Sequence, residues 1–150
     1  MRTIEKNGYE ILLFELTRNK NGRGVTAGKF MTISCRPVEA GQRKTPSYMV
    51  TFSNEINEII KAKEIALNYI LRRDTYTGEL SLIFGAIDGA PSARFESNND
   101  KQRVVICNAE LVKFLGKYYN QGKDFCIRVD LGENQSRNDD ALLFKLGKIL

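Results

Sequence analysis

Residues 48–73 read YMVTFSNEINEIIKAKEIALNYILRR. The first five are aromatic or β-branched for the most part and predict a strand at 48–52. Ser53 is a good helix-capping residue. Glu55 and Glu58 fall in the first turns, where the helix dipole favours carboxylates. Ile56, Ile59, Ile60, Lys63, Ile65, Leu67, Ile70 and Leu71 then recur at helical spacing as one broad, mainly apolar face. They predict one long helix from Ser53 to about Arg73, with Arg72 and Arg73 stabilising its C-terminus. A helix with so broad an apolar face is suited to packing against a second copy of the chain, so a homodimer is expected.

Working upstream, residues 9–16 (YEILLFEL) and 30–35 (FMTISC) read as strands. Between them, residues 17–29 carry Asn21-Gly22, Gly24 and Gly28, the signals of a long hairpin loop. Residues 36–47 contain Pro37, Gly41 and Pro46 and form a second irregular loop. Downstream, residues 74–78 (DTYTG) are a turn, followed by strands at 79–86, 93–97 and 103–107. Asn108 caps a helix from Ala109 to about Asn120, stopped by Gly122. Residues 124–131 (DFCIRVDL) alternate polar and apolar, which marks a half-buried strand. Residues 141–150 (ALLFKLGKIL) fit either a strand or a short helix.

Two strand-to-helix joints align. Residues 50–60 (VTFSNEINEII) match 105–115 (VICNAELVKFL) without a gap at an offset of 55. Each has a β-branched strand, a capping residue, a Glu two positions later and apolar residues at matching helical positions. The expectation is an α+β fold in one domain, 1–150. It has an antiparallel sheet, two main helices and a tandem strand-strand-strand-helix duplication, with pseudo-repeats 1–74 and 75–150. Several strands followed by a helix, twice over, resembles the Whirly family and the related single-stranded-DNA-binding transcriptional coactivators. It is also similar to PUR-repeat proteins. The resemblance covers most of the chain at the level of element order. It implies a curved antiparallel sheet that binds single-stranded nucleic acid, with helices packed together between subunits. The Whirly lysine-glycine-lysine-alanine-alanine signature does not occur, and no binding residue is carried over.

Composition narrows the function. The chain has no histidine, which excludes Ser-His-Asp and Cys-His nucleophile systems and the common zinc sites. It has no tryptophan, so any base stacking falls to Phe and Tyr. Cys35, Cys107 and Cys126 are odd in number and not at metal-ligand spacing, as expected of a reduced, cytoplasmic protein. Glu5 interrupts the N-terminus, so no signal-peptide core is expected. No apolar run approaches the roughly 18–20 residues that span a bilayer.

Charge is concentrated. Arg18, Lys20, Arg23, Lys29, Arg36, Arg43 and Lys44 lie within residues 18–44 against Glu39 alone, so this stretch is +6 in a chain of +5. Such loops are the footprint of a phosphate clamp, with Arg as forks and Lys as point charges. Tyr9, Phe30 and Tyr48, on the bordering strands, are the candidates for base stacking. Residues 22–29 (GRGVTAGK) are not a Walker loop: the glycine spacing is wrong and a strand follows. Asp124, Asp130, Glu133, Asp139 and Asp140 could serve a metal-dependent nuclease only by converging, and Cys107 could be activated by the helix it precedes. The expected function is non-catalytic binding of single-stranded DNA or RNA, without metal or cofactor. The alternative is a small phage- or mobile-element-type accessory protein that meets a partner protein through the same basic surface.

Overall fold

A computed structural model describes residues 2–6, 9–13, 28–37, 45–98, 101–134 and 140–150. In chain order the elements are β1 (Arg2–Lys6), β2 (Tyr9–Leu13), β3 (Phe30–Arg36), β4 (Ser47–Phe52) and α1 (Asn54–Lys63). Then come β5 (Asn68–Arg73), β6 (Leu80–Gly85), β7 (Arg94–Asn98), β8 (Lys101–Ile106), α2 (Ala109–Tyr118), β9 (Phe125–Asn134) and β10 (Ala141–Ile149). β1 and β2 pair with each other. The other eight form one antiparallel sheet in the order β5-β6-β10-β9-β3-β4-β8-β7.

Period-two patterning curls this sheet around a single core. Phe125, Val129 and Leu131 of β9 point inward while Cys126, Arg128 and Asp130 stay exposed; β6 and β10 alternate likewise. Inward rows cross the strands in register: Met31 stands between Phe52 and Val129, and Phe84 between Leu142 and Tyr69. The curl brings Phe84 of β6 against Phe52 of β4, four strands away, with ring centroids 5.8 Å apart and edge to face. Each such ring pair adds about 0.5–1.5 kcal/mol beyond the area it buries. The two sheet edges touch at one point. Asn68 bridges Ser92, with backbone hydrogen bonds from Tyr69 N to Pro91 O and from Ala93 N to Leu67 O.

The architecture is a curled antiparallel half-barrel carrying two ten-residue helices, so the α+β expectation is corrected to a β fold. The long helix is where that expectation failed. α1 ends at Lys63, and Glu64 turns left-handed at φ 51. Asn68–Arg73 then forms the edge strand β5, with Tyr69 buried and Ile70 exposed. With that helix goes the argument for a homodimer built on it. The expected duplication of three strands and a helix is replaced by one continuous sheet, in which β3 lies between β4 and β9 while β7 is an edge. The expected hairpin between the strands at 9–16 and 30–35 is also replaced: β2 pairs with β1.

β4 and β8 are antiparallel neighbours, and each runs directly into a helix, so α1 and α2 stand at opposite ends of the half-barrel. Buried Asn57 fastens α1. Its Nδ2 donates to Phe52 O at 3.1 Å, and its Oδ1 accepts from Val104 N at 3.0 Å. Ser53 holds the cap position, but its hydroxyl accepts from Phe30 N rather than from the helix. At α2 the cap works as expected, with Asn108 Oδ1 accepting from Leu111 N at 3.1 Å. Left-handed Asn120, at φ 56, ends that helix before Gly122 is reached. Among the described residues no helix is long and apolar enough to cross a membrane.

Candidate functional site

The α2 end holds a cleft of about 540 Å³ between the C-terminal half of α2, the turn at 121–124 and the sheet. Its floor follows from strand register. Tyr48, Cys35 and Phe125 form one inward row across β4, β3 and β9. Gly116 of α2 lies on Phe125 so closely that a Cβ there would come within 2.7 Å of the ring. The rim is cationic: Lys113 and Lys117, one turn apart on α2, face Lys123 across the opening. The Lys113 ammonium sits 5.2 Å from the centroid of the Tyr48 ring. Among the described residues that line the cleft there is no carboxylate. Three ammonium groups outweigh the roughly half unit of negative charge at the C-terminus of α2 together with the carboxylate of Asp124, which is close enough to act on Cys35.

Cys35 belongs to the floor and not to any chemistry. Burial first, and then the Asp124 carboxylate, push its thiol above the usual range, with Lys113 opposing. It stays protonated and donates to Lys123 O at 3.2 Å, which ties the 121–124 turn to β3. Cys107 is exposed, and Arg94 Nη2 donates to its sulfur at 3.6 Å. Among the described residues no group of three or more His, Cys, Asp or Glu converges as metal ligands. Asp124, Asp130 and Asp140 are separately exposed, and Asp139 lies outside the described residues.

The residues expected to bind fall into separate places. Arg18, Lys20, Arg23, Arg43 and Lys44 lie outside the described residues. Lys29 precedes β3 and Arg36 ends it, about 23 Å apart at some 3.3 Å per residue. The 18–29 and 36–44 segments therefore meet the sheet at different ends. Lys29 belongs to the α1 end, where Gly28 N donates to Glu55 Oε1. Phe30 is only 6% exposed and its ring lies 5.0 Å from the Arg128 guanidinium carbon, so it offers no stacking face. Tyr9 lies in β2, of whose side chains nothing is described. Arg36 and Tyr48 are at the α2 end, beside Pro37, which lines the cleft. Lys113, Lys117 and Lys123 were not singled out in the sequence. The spacing of Lys113 and Lys117, opposite the apolar face of α2, was the available signal.

No protein-family model, no curated protein and no solved structure matches the chain.

Proposed function

We propose that the protein is a non-catalytic binder of single-stranded nucleic acid, which it holds at the α2 end of the half-barrel. The cleft carries this reading: an apolar floor beneath a rim of three lysines suits a base below and its phosphates above. The aligned joint at the other end is a built-in contrast. At the offset of 55, Glu58 stands where α2 has Lys113, and Ala62 where it has Lys117. Lysines at these positions are thus not a requirement of the strand-to-helix joint.

The test is fluorescence anisotropy of a labelled oligonucleotide titrated with the protein across a salt series. Exchanging both Lys113 and Lys117 for Glu should weaken binding at least about tenfold, as the loss of one charge-assisted contact already would. Binding that ignores this change, or no binding at any salt, would remove the proposal and favour a protein partner for the basic surface.

A further inference from the structure

The β5–β6 turn carries the most exposed aromatic ring among the described large hydrophobic residues: Tyr76, at 98%. Its backbone is nevertheless pinned. Asp74 Oδ1 accepts from Tyr76 N at 2.8 Å and from Thr77 N at 3.2 Å. Asp74 N donates to Glu79 O at 2.9 Å, and Gly78 N to Asp74 O at 2.8 Å. Gly78 adopts φ 73, a conformation that suits glycine. A fully solvated ring on a fixed turn loses little conformational freedom when something stacks on it.

The turn is joined to α2. Tyr118 Oη donates to Gly78 O at 3.4 Å, and the Arg73 guanidinium lies 5.3 Å from the centroid of the Phe114 ring. Phe114 is 41% exposed, follows Lys113 and stands one helical turn before Lys117. A continuous cationic and aromatic track therefore leads from the cleft rim, across Phe114 and Arg73, to Tyr76. Three carboxylates lie beside it, of which Glu110, one helical turn before Lys113 and Phe114, stays exposed at its start. Glu79 is neutralised by Lys145 at 2.7 Å, and Asp74 is turned to the amides of its own turn.

We propose that the strand held in the cleft continues over the exposed face of α2 to the β5–β6 turn, where Tyr76 stacks on a base and Arg73 holds a flanking phosphate. This rests on the function proposed above and assigns it a second subsite. A stacked base at an arginine-flanked ring is sequence-tolerant, since every base has a π face.

Because the chain has no tryptophan, Tyr76→Trp makes the turn its sole indole reporter. An oligothymidylate of about 12 nucleotides, within the usual range of site sizes, should quench that emission in step with its anisotropy change. Thymidine monophosphate, which fills the cleft alone, should leave it unchanged. Tyr76→Ala should weaken the oligonucleotide about tenfold, the scale of one lost stacked base, and leave the mononucleotide unaffected. An oligonucleotide that binds without quenching, and as tightly to Tyr76→Ala as to the original chain, would overturn the second subsite and leave the cleft standing. No anisotropy change with any oligonucleotide would overturn both.

Discussion

Asp74 holds the β5–β6 turn through its ionised form. The amides of Tyr76 and Thr77 keep its carboxyl below the usual 3.8. A depressed carboxylate stabilises the fold at all pH values above its unfolded pKa, and the contribution is lost as pH falls through the folded one. Asp74→Ala should therefore unfold at a lower temperature than the original protein at neutral pH, and the gap should narrow below about pH 3.8. A gap of constant size down to about pH 2 would mean that the carboxylate charge is not its source. Asn57 is a different case, because it is neutral and buried. Asn57→Leu keeps the volume but strands the amide of Val104 and the carbonyl of Phe52, at about 1–3 kcal/mol each. Chemical denaturation should show a loss of about 2–6 kcal/mol with an unchanged slope against denaturant.

At the scale of elements, α2 shapes the cleft through a missing side chain. Gly116→Ala gains about 1 kcal/mol of helix propensity but drives a methyl to 2.7 Å from one Phe125 ring carbon and 2.9 Å from another. Overpacking costs about 1–3 kcal/mol, so the net effect should be a loss of about 1 kcal/mol in thermal or chemical unfolding. The ring has the cleft to move into, so oligonucleotide affinity should fall more than the stability change alone predicts. The same scale shows what could be read from sequence. α2, β8 and β9 were legible because each had a single pattern: an Asn cap with a matching apolar face, a β-branched run, or strict alternation. Residues 65–73 carried two patterns at once. Leu67, Ile70 and Leu71 fit a helix, whereas the same segment as a strand buries Tyr69 against Phe84 and Leu71 against Leu82. Neither Gly nor Pro stands between Lys63 and Asn68 to decide, and pairing with β6, which no local pattern reveals, decided for the strand. The cleft was illegible for the same reason. Its floor joins Cys35, Tyr48 and Phe125, and only the long-range pairings of β3 with β4 and β9 bring these three together.

At the scale of the whole molecule, the two ends offer an internal control. Val50 pairs with Ile106 and Thr51 with Val105, so the offset of 55 carries one pair onto the other, and the two strand-to-helix joints are related by a local two-fold. One joint presents Glu55, Glu58, Lys61 and Lys63; the other presents Glu110, Lys113 and Lys117 beside Lys123. Net charge and placed charge can then be separated. Lys113→Gln with Lys117→Gln, and Lys61→Gln with Lys63→Gln, each lower the formal charge from +5 by two. If a polyanion were attracted by overall charge, the two double variants would weaken binding alike. If it sits at the α2 end, each lysine there releases its own counterions, at a log–log salt slope of about −0.7 per contact on a single strand. The α2 pair should then flatten the slope by about 1.4, while the α1 pair leaves it within error of the original. Equal slopes for the two variants would place the strand elsewhere, whatever its affinity. Hydrogen exchange with and without oligonucleotide gives the same answer by position: new protection is expected over residues 109–124 and none over residues 54–64.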